Sequence, residues 1–403
     1  MKAILEFNLP EDEEQFNTAS KGMDWALVVW DMDQLLRNKL KYEEHVHDTR
    51  KVLEEFRKWK YYDNFPDPTC GENDIVVKVK HASICSTDVL RSMQTGFYHY
   101  PIIPGHEFCG EIVDIGKNII DGDINIGDRV SVYPLLNCGK CKSCYDGNPN
   151  LCDDYNFLGS RTHGGYGEYV TAPPQNMVPI PDSVNFQKAS LTEPSAVALH
   201  AFKRAGRLDN IDTVAIFGLG PIAYLVGLWA KYFGIKRVIG ISRSDHRLEL
   251  GKTLGIDKVI DTRVVLKENH VNTVASERIY ELTNGKGADL IFECSGSNIM
   301  QPQTIISAAK SAQIIILGNP THSLKLDREI YSMILRKEIT IKGSWSSTVA
   351  PNNEWAEVLE IFGKGVFDPT PIITHTFDLD QIQTVIPDMF FKRFDYTKVT
   401  LNI

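Results

Sequence analysis

No apolar run in the chain approaches the roughly 18 residues that a membrane-spanning helix needs, which excludes a membrane as partner. The opening stretch MKAILEFNLPEDEEQF turns acidic early and contains no export-signal core. Acidic residues outnumber basic ones, giving a net charge of −9, so the electrostatic footprint of a nucleic-acid binder is missing. Internal repeats and low-complexity tracts are absent as well. What remains is the composition of a soluble globular protein, 43% hydrophobic and 24% charged over 403 residues, long enough for two domains and a small appendage. The expected setting is the cytoplasm, where thiols stay reduced.

Cysteine is scarce but concentrated. Of eight cysteines, four lie in the stretch NCGKCKSCYDGNPNLC, at Cys138, Cys141, Cys144 and Cys152. In a reducing compartment such a cluster binds metal more often than it pairs. The spacing C-x2-C-x2-C-x7-C lets four thiolates from one loop converge on a zinc ion, and Gly139, Gly147 and Pro149 supply the turns. The competing reading, four unrelated core cysteines, sits poorly with so polar a segment. A closed four-thiolate site has no open coordination position, so this zinc is structural and the chemistry lies elsewhere.

Texture changes along the chain. Residues 1–62 read as a helical extension: Trp25, Val28, Val29, Met32, Leu36 and Leu40 recur at helical spacing, and Asp48 caps a further stretch. From residue 63, short alternating runs such as DIVVKV, GEIVDIG and GDRVSVYPLL, separated by Gly, Pro and Asp, suggest a β-rich domain. From 195 the runs TVAIFG, RVIGIS, DLIFECSG and QIIILG alternate with helical stretches, the pattern of a parallel sheet of βαβ units. The last stretch, 346–403, returns to mixed character and completes the β-rich domain.

The first βαβ unit carries G-x-G-x-x-A at Gly218, Gly220 and Ala223, directly after a strand and opening a helix through Pro221 and Ile222. The first glycine makes the tight turn, the second admits a pyrophosphate, and the small third residue lets helix and strand pack closely. At the end of the next strand an NAD site usually has an acid for the ribose hydroxyls. This chain has Ser242 and Arg243, with Arg247 four residues on. Arginine clamps a 2′-phosphate that a carboxylate would repel, so NADP(H) is the expected cofactor; the alternative is that both arginines are solvated surface charges.

Three further pieces suit a reactive metal: Cys85 in ICSTD, His106 and Glu107 in PGHEF, and Glu193 in LTEPSAVALH. Cys85, His106 and Glu193 supply the three ligands of a catalytic zinc with one open position, and Glu107 is either a fourth, exchanging ligand or a supporting partner.

These residues complete a resemblance. GHEFCGEIVDIG, the cysteine loop, GGYGEYV, EPSAVALHAF and GLGPIA stand in the order found in the zinc-dependent medium-chain alcohol and polyol dehydrogenases. HYPIIPGHEF, YNFLGSRTHGGYGEYV and LRKEITIKGSW are most similar to the galactitol-1-phosphate 5-dehydrogenase and sorbitol dehydrogenase branch. The resemblance implies an α/β plus β fold: a GroES-like catalytic domain (63–194 and 346–403) interrupted by a Rossmann domain, a doubly wound parallel sheet, at 195–345. It implies two zincs per chain, the catalytic one at Cys85, His106 and Glu193, and hydride exchange between NADP(H) and a polyol or polyol phosphate. Thr87 falls where the family keeps a hydroxyl that relays the substrate proton, Leu90 replaces a relay histidine common in alcohol dehydrogenases, and Arg161 is a candidate phosphate contact. A homodimer or homotetramer is expected by analogy. Relatives begin with two strands leading into DIVVKV, whereas here a helical stretch intervenes, so a missing edge strand is expected to weaken the sheet. The alternative function is a family member that binds zinc and nucleotide without turnover; one zinc per chain instead of two would favour it.

Overall fold

The computed structural model describes residue 62 and residues 65–403, apart from 121, 123, 264–273 and 321. The helical extension expected over residues 1–62, and the edge strand expected to be missing there, lie outside the described residues.

Among the described residues the first strands are β1 (Ile75–Ile84), β2 (Glu107–Ile115), β3 (Arg129–Val132), the short pair β4 (Leu135–Leu136) and β5 (Asn156–Phe157), then β6 (Tyr169–Ala172) and β7 (Met177–Pro179). Six strands follow: β8 (Thr213–Phe217), β9 (Arg237–Ser242), β10 (Lys258–Asp261), β11 (Ala288–Glu293), β12 (Ala308–Ile316) and β13 (Thr340–Gly343). The last two are β14 (Ile373–Asp378) and β15 (Lys398–Asn402).

The first sheet runs β14-β15-β1-β2-β3-β7, with β6 also pairing β1. β1 is IVVKVKHASI, and almost all of it is buried because both its edges are occupied. Its first half, Ile75–Lys78, pairs β6, while His81–Ile84 pairs β15; register shifts against β2 bend it between the two. Val77, Val79, Ile112, Val130 and Val170 close the core beneath. This arrangement positions a site. β2 and β15 both run antiparallel to β1, so the end of β1 meets their beginnings, Ser83 facing Glu107 and Ile84 facing Val399. Cys85, His106, Glu107 and Lys398 therefore gather at one end of the sheet although up to 313 positions separate them.

The second sheet is wholly parallel, in the order β10-β9-β8-β11-β12-β13. Counted within this unit the order is 3-2-1-4-5-6, the doubly wound Rossmann arrangement, with its switch point between β8 and β11. Burial on both faces explains why β8 (TVAIF) is entirely apolar or threonine and entirely buried. Helix Thr192–Ala205 joins the two units, packing against helix Pro221–Tyr232 and against β2. Trp229 Nε1 donates to the Ser195 carbonyl at 3.0 Å across that contact. The helix runs through residue 195, so Glu193 stands in its first turn.

Candidate metal and nucleotide site

At the gathered strand ends, one donor atom each from Cys85, His106 and Glu107 lies within 4.8 Å of the others. The ring of His106 is oriented by Asp88, whose Oδ1 lies 3.1 Å from Nδ1, which leaves Nε2 free for the cluster. Burial disfavours charge on this ring, but the Asp88 charge and hydrogen bond outweigh it and hold the His106 pKa well above its ordinary value. Asp88 is itself held: Tyr166 donates its hydroxyl to Oδ2 at 2.7 Å, and the Cys85 amide donates to the same oxygen at 3.3 Å. Gly105 makes room for that tyrosine. It sits at φ +94°, and a Cβ there would lie 2.3 Å from the Tyr166 ring.

Glu107 Oε2 is already engaged by Lys398 Nζ and the Ser83 hydroxyl, so it faces the cluster as half of a buried ion pair. Glu193 lies outside the group that shares the 4.8 Å limit but within electrostatic reach of it. Burial pushes its carboxyl up to about 7 against the pull of His106, and Glu107 adds to the rise. Thr87 donates to Cys85 Sγ at 3.2 Å and also lines a cavity of about 400 Å³ with Leu90, Arg91, Thr95, Gly96, Phe97 and Tyr98. A thiol, an imidazole and a carboxylate brought together, with a second carboxylate in electrostatic reach, form a donor set that suits zinc.

Sequence reading left Asp88, Ser83, Tyr166 and Lys398 without roles. Asp88 stands inside ICSTD, three positions after Cys85, and Tyr166 inside GGYGEYV. Lys398 has no local signal, since only the pairing of β1 with β15 brings it to Glu107.

The second cluster is local. Cys138, Cys141, Cys144 and Cys152 are all free thiols with donor atoms within the same 4.8 Å limit. Cys141 Sγ lies 3.5 Å from that of Cys144 and 3.8 Å from that of Cys152. A disulfide requires about 2.05 Å, whereas four sulfurs around zinc at about 2.3 Å stand about 3.8 Å apart. Backbone N–H groups of Asp153 and Cys144 draw Cys141 down to about 6, while burial pushes Cys152 up to about 12. Ionising all four together calls for a cation in their midst.

In the second unit, Gly218 follows β8 at φ +89°, and a Cβ on it would lie 2.6 Å from Ser295 after β11, at the switch point. Gly220 faces open space, Pro221 starts the helix, Ile222 packs against the core and Ala223 is fully buried. That leaves the backbone at Gly220 and the helix N-terminus accessible to a pyrophosphate. Ser242 ends β9, and its hydroxyl accepts from the Ser244 amide at 3.3 Å. The acids nearby are occupied: Arg263 binds Asp245 Oδ2 at 2.6 Å and Asp261 Oδ1 at 3.0 Å. Arg243 and Arg247 are exposed and, among the described residues, carry no ion pair.

A metal-suited donor cluster at the end of a mainly antiparallel sheet, joined through one helix to a doubly wound nucleotide fold, is an arrangement suited to metal-assisted hydride transfer. The profile of the alcohol dehydrogenase GroES-like domain matches residues 71–182, and that of the zinc-binding dehydrogenases matches residues 221–364. The chain is 32% identical to the sorbitol dehydrogenase of Halalkalibacterium halodurans over 325 residues, 78% of this chain and 88% of that protein. It is 32% identical over 321 residues to the L-threonine 3-dehydrogenase of Caldanaerobacter subterraneus subsp. tengcongensis, again 78% and 88%. The crystal structure of galactitol-1-phosphate dehydrogenase from Escherichia coli superposes with a TM-score of 0.77 at 28% identity, covering 85% of this chain and 96% of that one. The chain belongs to the zinc-dependent medium-chain dehydrogenase family and is an oxidoreductase. No helix among the described residues is long and apolar enough to cross a membrane.

Proposed function

We propose that the chain is an NADP(H)-preferring zinc enzyme that interconverts a secondary alcohol and a ketone in a polyol or polyol phosphate. The observation that carries this is the convergence of Cys85, His106 and Glu107, with Glu193 in electrostatic reach, beside the cavity that Thr87 lines. The likeness to sorbitol and galactitol-1-phosphate dehydrogenases supports the substrate class.

Cys85, His106 and Glu193 would hold the catalytic zinc with Glu107 beside it, and Cys138, Cys141, Cys144 and Cys152 a structural one. When bound, zinc supplies a Lewis acid for the substrate oxygen and the nicotinamide supplies the hydride donor or acceptor. The chain's own residues orient and relay. Asp88 fixes the His106 ring through Nδ1. Thr87 is positioned between Cys85 and the cavity to take up the substrate's hydroxyl proton. Leu90 is 45% exposed in the same wall, so a proton leaving Thr87 passes to water in the cavity rather than to a side chain at that position. Arg243 and Arg247, with Asp245 and Asp261 neutralised by Arg263, favour a 2′-phosphate over a free ribose hydroxyl. Eight free thiols suit a reducing, cytoplasmic setting, and a homodimer or homotetramer is part of the same reading, measurable by light scattering.

The test is a steady-state panel of galactitol, sorbitol, their monophosphates and L-threonine, each with NADP⁺ and NAD⁺, alongside metal analysis. The expected result is the highest kcat/KM with a polyol or its phosphate and NADP⁺, and two zincs per chain. Highest turnover with L-threonine, or equal efficiency with NAD⁺, would sink the corresponding part.

A further inference from the structure

The cavity that Thr87 lines carries positive charge in and beside its wall. Arg91 lines its wall, and the Arg91 guanidinium carbon lies 5.0 Å from the centroid of the Tyr98 ring, which lines it too. From a different part of the chain, Arg161 approaches the same ring, its guanidinium carbon 4.2 Å from the centroid. Among the described residues no carboxylate pairs with either arginine. Hydrogen bonding from Arg91, with the charges of both arginines, draws the Tyr98 phenol below its ordinary pKa.

We propose that Arg91 and Arg161, gathered around Tyr98, form the subsite that binds the phosphomonoester of a phosphorylated polyol substrate. The proposal rests on the polyol reading above and selects its phosphorylated form. Two features make the site built rather than incidental. Arg161 is clamped: its guanidinium also stacks on Tyr155 at 4.6 Å, its carbonyl lies 2.8 Å from His99 Nε2, and its amide donates to the Phe157 carbonyl at 2.9 Å. A planar fork held between two aromatic rings loses little freedom when it takes an anion. The turn that carries it is also tied to the reaction centre, because Phe157 packs edge-on against the His106 ring with centroids 5.7 Å apart. The cavity lining therefore includes both Thr87, which touches the metal ligand Cys85, and Arg91, which offers an anion contact. A cavity of about 400 Å³ falls in the ordinary size range for a small metabolite. Two guanidiniums with no acid to share suit a dianion; a carboxylate, with one charge, is satisfied by a single fork.

The test is calorimetric binding to the zinc- and NADP⁺-loaded enzyme of galactitol 1-phosphate, galactitol and L-threonine. The proteins are wild type, Arg91→Met, Arg161→Met and the charge-keeping Arg161→Lys. Wild type is expected to favour the ester over galactitol by at least about tenfold. Each methionine variant should cut that ratio roughly 10- to 100-fold, the scale of lost charge-assisted hydrogen bonds, with Arg161→Lys recovering part of it. A wild type with no preference for the ester would refute the phosphorylated-substrate reading, and the subsite with it. A wild-type preference that survives both methionine variants would overturn the subsite while leaving the reading intact. A selective loss of L-threonine binding would reassign the arginines to a carboxylate and overturn the phosphate.

Discussion

Lys398→Met removes the positive half of an ion pair whose members are 3% and 2% exposed. In contact at an effective dielectric near 20, two opposite charges attract by about 5 kcal/mol, and desolvation offsets most of that, so the intact pair contributes little net stability. The single variant is a different case. Glu107 would remain buried with only the Ser83 hydroxyl and would face Glu193 and Cys85 with its charge uncompensated. Breaking one side of a buried pair costs about 3–5 kcal/mol. With a urea slope of about 3 kcal/mol per molar, the unfolding midpoint of chelator-treated protein should fall by about 1–1.7 M. Adding Glu107→Gln to the same protein should recover at least about half of that loss, because the stranded charge goes with it. Zinc added to the single variant should narrow the gap to wild type, since a dication beside Glu107 replaces part of the missing charge. Urea melts of the four proteins of this cycle, with and without zinc, read all of these quantities. A single variant within about 1 kcal/mol of wild type, or a double variant no better than the single, would refute this account of the pair.

Cys141→Ser should lower the zinc content from two to one per chain and lower the melting temperature; retention of two zincs with a wild-type melt would overturn the four-thiolate assignment. Arg243→Met should reduce kcat/KM with NADPH by roughly 10- to 100-fold while leaving NADH within about threefold, and an equal loss with both cofactors would count against a 2′-phosphate contact. His81 is 4% exposed, and burial lowers its pKa to about 4 from an unfolded value of 6.5. The folded ring stays neutral where the unfolded one is protonated, so this stability is complete above pH 6.5 and is lost as pH falls towards 4. The loss approaches about 3 kcal/mol. Comparing wild type with His81→Gln should show a flatter acid limb in the variant, and parallel limbs would contradict the assignment.

What was legible in the sequence follows from distance along the chain. The cysteine loop announced itself because all its ligands fall in one short turn-rich stretch, where spacing alone constrains geometry. The dinucleotide turn was legible for the same reason, as Gly218, Gly220 and Ala223 sit between a strand and a helix that are themselves readable from periodicity. Cys85, His106 and Glu193 lie in three separate stretches, so their residue types suggested a metal site but spacing could not bring them together; register then explains why the first two meet. Lys398 opens an ordinary strand, KVTLN, and nothing in that pattern distinguishes a lysine buried against a carboxylate from one in solvent. β10 and β13 escaped notice for a different reason. They are four-residue strands, KVID and TIKG, whose residues are mostly exposed or half-buried, so they lack the apolar runs that marked β8, β9, β11 and β12.

The charge arrangement relates the metal cluster to the two arginines. Around the reaction centre stand Cys85, Asp88, Glu107 and Glu193, and the cations facing them are His106 and Lys398. His106 must give up its proton to serve as a metal ligand, which leaves one lysine against several acids in a buried space. A dication fits that deficit. With a dication in place the acids still outnumber the positive charges, which disfavours a phosphate dianion beside the metal ligands. Among the described residues, Arg91 in the cavity lining and Arg161 beside Tyr98 carry positive charge with no paired carboxylate. On this reasoning the separation of the two charge sets orients the substrate: the phosphate is drawn to the arginines, and the alcohol carbon is left facing Thr87 and the metal ligands.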